Sequence, residues 1–172
     1  MTYSAPAIAN YFIEKAVIAG SPATHLKLQK LVYISHGWNL ALRGAPLIGE
    51  VVKAWRYGPV SRELYRNLRA YGSAPIVQPI RVWRGSEIDT PAIDAADTDT
   101  LGLLDRVWSV YGKLTALQLS SLTHQPETPW AKARARSPQN ELAMMSNEEI
   151  REHYLHLARS KATVAAHGVA RG

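Results

Sequence analysis

Apolar residues recur along this chain at helical spacing, most densely between Thr24 and Arg43. There the sequence reads Thr-His-Leu-Lys-Leu-Gln-Lys-Leu-Val-Tyr-Ile-Ser-His-Gly-Trp-Asn-Leu-Ala-Leu-Arg. Leu28, Leu31, Val32, Ser35, Trp38 and Leu42 fall on one side of a helical period, and Leu26, Tyr33 and Leu40 cover much of the other. A helix that is apolar nearly all round is expected at the centre of a fold, buried by neighbours on several sides. Gly44 is its expected stop.

The same pattern predicts a first helix over about Ser4 to Ala19, with Ser4 as cap, Pro6 in the first turn and Ile8, Phe12 and Ala16 on one face. Leu47 to Tyr57 leans toward strand, and Gly58-Pro59 is expected to break it and open a third helix over about Pro59 to Ala70. On that helix Val60, Leu64 and Leu68 form an inward stripe, while Arg62, Arg66 and Arg69 point the other way; Tyr71-Gly72 closes it. Ile76-Val77 and Ile80 to Trp83 suit a short hairpin with the earlier strand. Further helices are predicted over about Thr100 to Tyr111 (Leu103, Leu104, Val107 and Val110 inward), Thr115 to Leu122 behind a Thr-x-x-Gln capping box, from Thr128 or Pro129 to about Arg136, and from a Ser146-x-x-Glu149 box to about Ser160. The expectation is therefore a mainly α, compact single-domain helical bundle of about six to seven helices with a small β-hairpin or short antiparallel sheet. Residues 1–160 form the domain, and 161–172 are expected to be a flexible C-terminal tail.

Charge changes this picture. The formal net charge is +6, but Lys15 to Arg84 carries eleven Lys and Arg against Glu50 and Glu63 alone. From Glu87 to Asp105 the sign reverses, with six acidic residues and no base. A basic face of this kind attracts nucleic acid or an acidic protein, and an acidic loop beside it could shield it. Two solvated faces of one domain would read the same way. The 172 residues contain no cysteine, which excludes disulfides, thiolate metal sites and a cysteine nucleophile. The first residues lack the pattern of a signal peptide, and no apolar run is long enough to span a bilayer. A soluble, cytoplasmic protein is the expectation.

Enzyme motifs fail on their spacing. Tyr111-Gly112-Lys113 lacks the glycine of a phosphate loop, because Val107 stands there, and Leu114 replaces its Ser or Thr. No dinucleotide fingerprint or nucleophile elbow occurs. Glu149, His153 and His156 share two helical turns and make a metal site geometrically possible, but no further ligand is tied to them. His36 and His124 sit beside tryptophans without a designated nucleophile or carboxylate, and the simpler reading is histidine satisfied by backbone. No catalytic residue, metal or cofactor is assigned, and the chain is expected not to be an enzyme.

The best electrostatic feature is Arg56, Arg62, Arg66 and Arg69, with Lys53, interleaved with Trp55, Tyr57, Tyr65 and Tyr71. Three readings stand side by side. It can be a nucleic-acid platform of arginine and stacked aromatics. It can be a protein interface, where Tyr, Trp and Arg are enriched. Or the rings pack in the core while the arginines solvate.

Ordered motifs then point to a family. Leu28-Gln29-Lys30-Leu31-Val32-Tyr33, Gly37-Trp38, Ala54-Trp55-Arg56-Tyr57-Gly58-Pro59-Val60, Tyr65 and Tyr71-Gly72 resemble the SocA-like Panacea domain, shared by phage-associated proteins of the GepA type. The likeness continues through Leu103-Leu104, Val107-Trp108, Leu117 to Ser120, Leu122-Thr123-His124 and Glu127-Thr128-Pro129-Trp130. The resemblance implies a bacterial antitoxin that neutralises a cognate toxin by direct contact. It also implies a possible role as proteolytic adaptor, handing the toxin to a AAA+ protease such as ClpXP. It brings no catalytic residues. Arg56, Tyr57, Arg62, Tyr65, Arg66 and Arg69 are the expected contact surface. Leu28, Gln29, Lys30, Leu31, Trp38, Trp55, Gly58, Pro59, Tyr71, Gly72, His124 and Trp130 are expected to be mainly structural, with Trp38 and Trp130 backing the surface. The basic balance suggests an acidic toxin, or contact through Glu87 to Asp105. A nucleic-acid regulator using helix 59–70 is the alternative, and no membrane partner is expected.

Overall fold

The central helix is where the pattern puts it. The computed structural model describes residues 1–139 and 143–169, with side chains described as far as Ser160. Among the described residues it has seven α-helices: α1 (Ala5–Ile18), α2 (His25–Arg43), α3 (Arg62–Leu68), α4 (Thr98–Tyr111), α5 (Ala116–His124), α6 (Pro129–Arg136) and α7 (Asn147–Val169). Helix α2 packs against α1, α3, α4, α5 and α7. Its residues from Lys27 to Gly37 are all buried, including Gln29, Lys30, Ser35 and His36. Thr24 caps its N-terminus by accepting from Lys27 N, and Gly44 ends it with φ 67°.

Burial follows the helical period with two exceptions. Ile8, Phe12 and Ala16 are fully buried, as are Leu28, Leu31, Leu64 and Leu104. Leu42 and Val110, expected inward, are 64% and 51% exposed. Both lie near helix C-termini and wall a cleft with Trp38, Leu103 and Ala158, so periodicity continues there without full cover.

The β elements depart most from expectation. Gly58-Pro59 neither breaks the strand nor opens a helix. Strand β2 (Lys53–Trp55) turns at Arg56-Tyr57 into β3 (Gly58–Val60), with Trp55 opposite Gly58. Ser61, not Pro59, caps α3 by accepting from Leu64 N at 3.0 Å. Pro59 is tolerated in so short a strand because little of the ladder needs its missing N–H. Arg69 to Tyr71 form a 3-10 turn after α3.

Ile76 pairs with a different strand from the one expected: β4 (Pro75–Ile76) joins β1 (Ala23–Thr24). β5 (Val82–Arg84) pairs with its own continuation, β6 (Glu87–Asp89). Residues 143–145 add to β2, with Ala54 N donating to Ala143 O at 2.8 Å and Met145 N to Val52 O at 3.0 Å. The backbone of α7 continues nine residues past the expected end at Ser160. The expected tail, 161–172, lies outside the described side chains.

Candidate partner-binding site

Three helices, α2, α5 and α6, converge on the β2–β3 hairpin. From α2, the Gln29 amide grips Ser61 twice: Nε2 donates to the Ser61 carbonyl at 3.1 Å and Oε1 accepts from Ser61 N at 3.0 Å. From the next residue of α2, the Lys30 Nζ donates to the Tyr57 carbonyl at 2.7 Å and lies 3.5 Å from that of Pro59. Lys30 is fully buried, and burial pulls its pKa down to about 7. From α6, Trp130 Nε1 donates to the Trp55 carbonyl at 2.7 Å. From α5, His124 stacks on Trp130 with ring centres 3.9 Å apart. Gly58 (φ 109°) fits between them, since a Cβ there would overlap Lys30 Nζ and press on His124. Only glycine combines that φ with that approach.

The loop before the hairpin fastens α3. One Glu50 carboxylate oxygen accepts a short hydrogen bond from the Ser61 hydroxyl and the other accepts from Glu63 N at 3.2 Å. An anion here complements the positive end of the helix. Half-burial, then the nearby Glu50, raises the Glu63 carboxyl. Ser61 and Glu50 were not singled out in the sequence, although Ser61 ahead of Arg62-Glu63-Leu64 is a readable cap signal.

The outer side of this pinned unit is basic and aromatic. Arg56, Arg62, Arg66 and Arg69 are exposed, and among the described residues none of them forms an ion pair. Tyr57 is 68% exposed, with the Arg56 guanidinium 5.5 Å from its ring centre. Tyr65 is half-buried and meets Trp55 edge to face at 4.7 Å, so the two rings cover one another. A cleft of about 440 Å³ opens here, walled by His25, Leu26, Trp55, Tyr57, Val60 and Tyr65. Trp55 Nε1 is buried with no partner among the described residues. His25 Nε2 accepts from Gln29 Nε2 at 3.3 Å, and burial, then the Lys30 charge, lowers the pKa of its ring.

The acidic segment does not shield this face. Asp105 accepts from Tyr11 at 2.5 Å and pairs with Lys15 at 2.7 Å, and Asp89 pairs with Arg84. Asp97 caps α4 and accepts from Tyr3.

The histidines are held by backbone. His36 Nδ1 accepts from Leu47 N and Ile48 N at 3.3 and 3.4 Å, and its Nε2 donates to Asn147. His124 Nδ1 donates to the Ser120 carbonyl at 2.6 Å. Glu149, grouped with His153 and His156 in the sequence, gives both carboxylate oxygens to Arg136 at 2.6 and 3.0 Å. Trp38 lies away from the hairpin, edge-on to Tyr154 and donating to Tyr111.

The pinned residues, from Gln29 to Trp130, fall within the stretch from 28 to 131 that matches the model of the family described as Antitoxin SocA-like, Panacea domain. The chain is also 33% identical over 127 residues to Antitoxin SocA of Caulobacter vibrioides (strain NA1000 / CB15N), covering 73% of this chain and 68% of that one. The chain belongs to the SocA-like Panacea family. No solved structure gives a significant match. In this Panacea domain the family stretch supplies α2, the hairpin, α3 and the Trp130 lock, while α1 and α7 lie outside it. Among the described residues no helix is long and apolar enough to cross a membrane.

Proposed function

We propose that this Panacea protein is a non-enzymatic antitoxin that acts in the cytoplasm by binding a cognate toxin directly. Its contact surface is the face formed by Arg56, Tyr57, Arg62, Tyr65, Arg66 and Arg69. The observation that carries this reading is the pairing of an exposed arginine face, which forms no ion pair among the described residues, with a hairpin held by buried groups from α2, α5 and α6. Such a surface is preorganised, so little ordering entropy opposes association. Membership of the antitoxin family supports the same role. Binding without chemistry accords with His36 and His124 both being held by backbone groups.

Delivery of the bound toxin to a AAA+ protease such as ClpXP is the finer form of the proposal. Growth rescue by co-expression with the product of the adjacent gene tests the first part, with a pull-down of the two proteins. No rescue and no complex would remove the antitoxin reading. The toxin's half-life in cells with and without this chain separates delivery from blocking: an unchanged half-life with full rescue means blocking alone.

A further inference from the structure

The cleft beside the β2–β3 hairpin has a shape and charge that specify what enters it. Its volume of about 440 Å³ exceeds the roughly 150 Å³ that suffices for a benzene ring in an apolar cavity. Leu26, Trp55, Val60 and Tyr65 make its walls largely apolar. Its rim is cationic. Arg56 stands at the hairpin turn, and Arg62 and Arg69 lie three residues before and four after Tyr65, which places them beside it on the helix surface. None of the three is neutralised by an acidic residue among the described residues, and the chain's own acidic segment is committed elsewhere through Asp89, Asp97 and Asp105.

We infer that this cleft receives a large apolar side chain carried on an acidic stretch of the partner protein, the carboxylates meeting Arg56, Arg62 and Arg69. The inference rests on the antitoxin reading and gives the toxin's contact segment a chemistry. A buried apolar anchor ringed by charge is the usual construction of an interface hot spot. Nucleic acid fits less well. Stacked bases need a series of free aromatic faces, and here Trp55 and Tyr65 pack edge to face in the cleft wall, which leaves Tyr57, beside Arg56, as the most exposed ring.

The test uses the full chain and the purified product of the adjacent gene, with affinity measured by calorimetry. Leu26→Trp fills the cleft from its wall and keeps every arginine. Arg62→Glu with Arg69→Glu reverses the rim and keeps the cleft. Each is expected to weaken binding at least tenfold with an unchanged circular dichroism spectrum, and an Asp/Glu→Lys change in the toxin segment should recover binding to the reversed rim. Wild-type-like affinity in both variants overturns the cleft assignment while leaving the antitoxin reading intact. Absence of any wild-type complex removes both. If Leu26→Trp alone unfolds the chain, Val60→Phe fills the opposite wall and is judged by the same tenfold criterion. Two further results overturn the inference: a low-salt gel shift of a labelled DNA duplex abolished by rim reversal, or self-association of the chain abolished by it.

Discussion

The ammonium nitrogen of Lys30 lies 2.7 Å from the carbonyl oxygen of Tyr57, so a buried cation holds the turn of an exposed hairpin from beneath. The charge is met by backbone dipoles, and burial is the cause of its lowered pKa. Lys30 is therefore part of the scaffold beneath the hairpin.

Lys30 gives the fold a pH dependence of known sign. Unfolded, it keeps its proton up to 10.5; folded, it releases it near 7. Between those values the unfolded chain binds more protons, so stability rises with pH. The expected gain is roughly 2 kcal/mol from pH 7 to pH 9, below the range where tyrosines ionise. Urea midpoints at pH 7, 8 and 9 should rise in the wild type and rise less in Lys30→Met, where the lowered Lys27 still contributes. Equal slopes would mean that Lys30 keeps its proton in the fold.

His36 acts on the acid side. Burial depresses its pKa, opposed by the hydrogen bond to Asn147. Its stabilising contribution is complete above about 6.5, where the unfolded ring is also neutral, and is lost as the pH falls toward the folded value. His25 and His153, also lowered first by burial, add to the same window. The thermal midpoint should therefore fall between pH 6.5 and pH 5. In His36→Ala, two backbone N–H groups lose their acceptor, for an expected cost of about 2–4 kcal/mol. Its melting curve at pH 7.5 is the direct check.

Gly37 should tolerate no side chain. A Cβ there would overlap the ring of Tyr154, which packs from α7 into the notch that glycine leaves on α2. Gly37→Ala is expected to cost about 1–3 kcal/mol by overpacking. Combining it with Tyr154→Leu should cost less than the sum of the single changes, because both act on one contact. Strict additivity in a double-mutant cycle of urea titrations would argue against the contact.

Trp130→Phe separates scaffold from surface. It keeps the ring over His124 and removes the N–H donated to the Trp55 carbonyl, so stability should fall by about 1 kcal/mol. Arg62→Glu with Arg66→Glu should instead leave the melting temperature almost unchanged, since exposed substitutions rarely matter to stability. Toxin affinity should respond in the opposite order, with charge reversal the more damaging. Calorimetry and thermal melts on both variants decide it.

Much of the helical architecture is legible in the chain. Ser4 and Thr115 cap the helices they are expected to cap, because a cap needs only residues three apart. The burial of α2 is visible for the same local reason: its apolar residues run round the whole helix. The strands were not legible in this way. Pro59 reads as a helix opener locally, yet it sits in β3 because Gln29, Lys30 and Trp130 hold the chain extended around it. Residues 143–145 give no local sign that they will pair with β2.

Most helices, the central position of α2, the basic segment and the family are readable in the chain, since all of these live in short-range patterns and ordered motifs. Which charges are paired depends on the folded chain. Lys30 and Lys27 turn inward to backbone carbonyls, Lys15 and Arg84 meet carboxylates, and Arg56, which lines the cleft, forms no ion pair among the described residues, nor do Arg62, Arg66 and Arg69. Composition counts all of these alike. Whether a charge is a support or a contact depends on the groups brought against it from distant parts of the chain, and no local pattern records that.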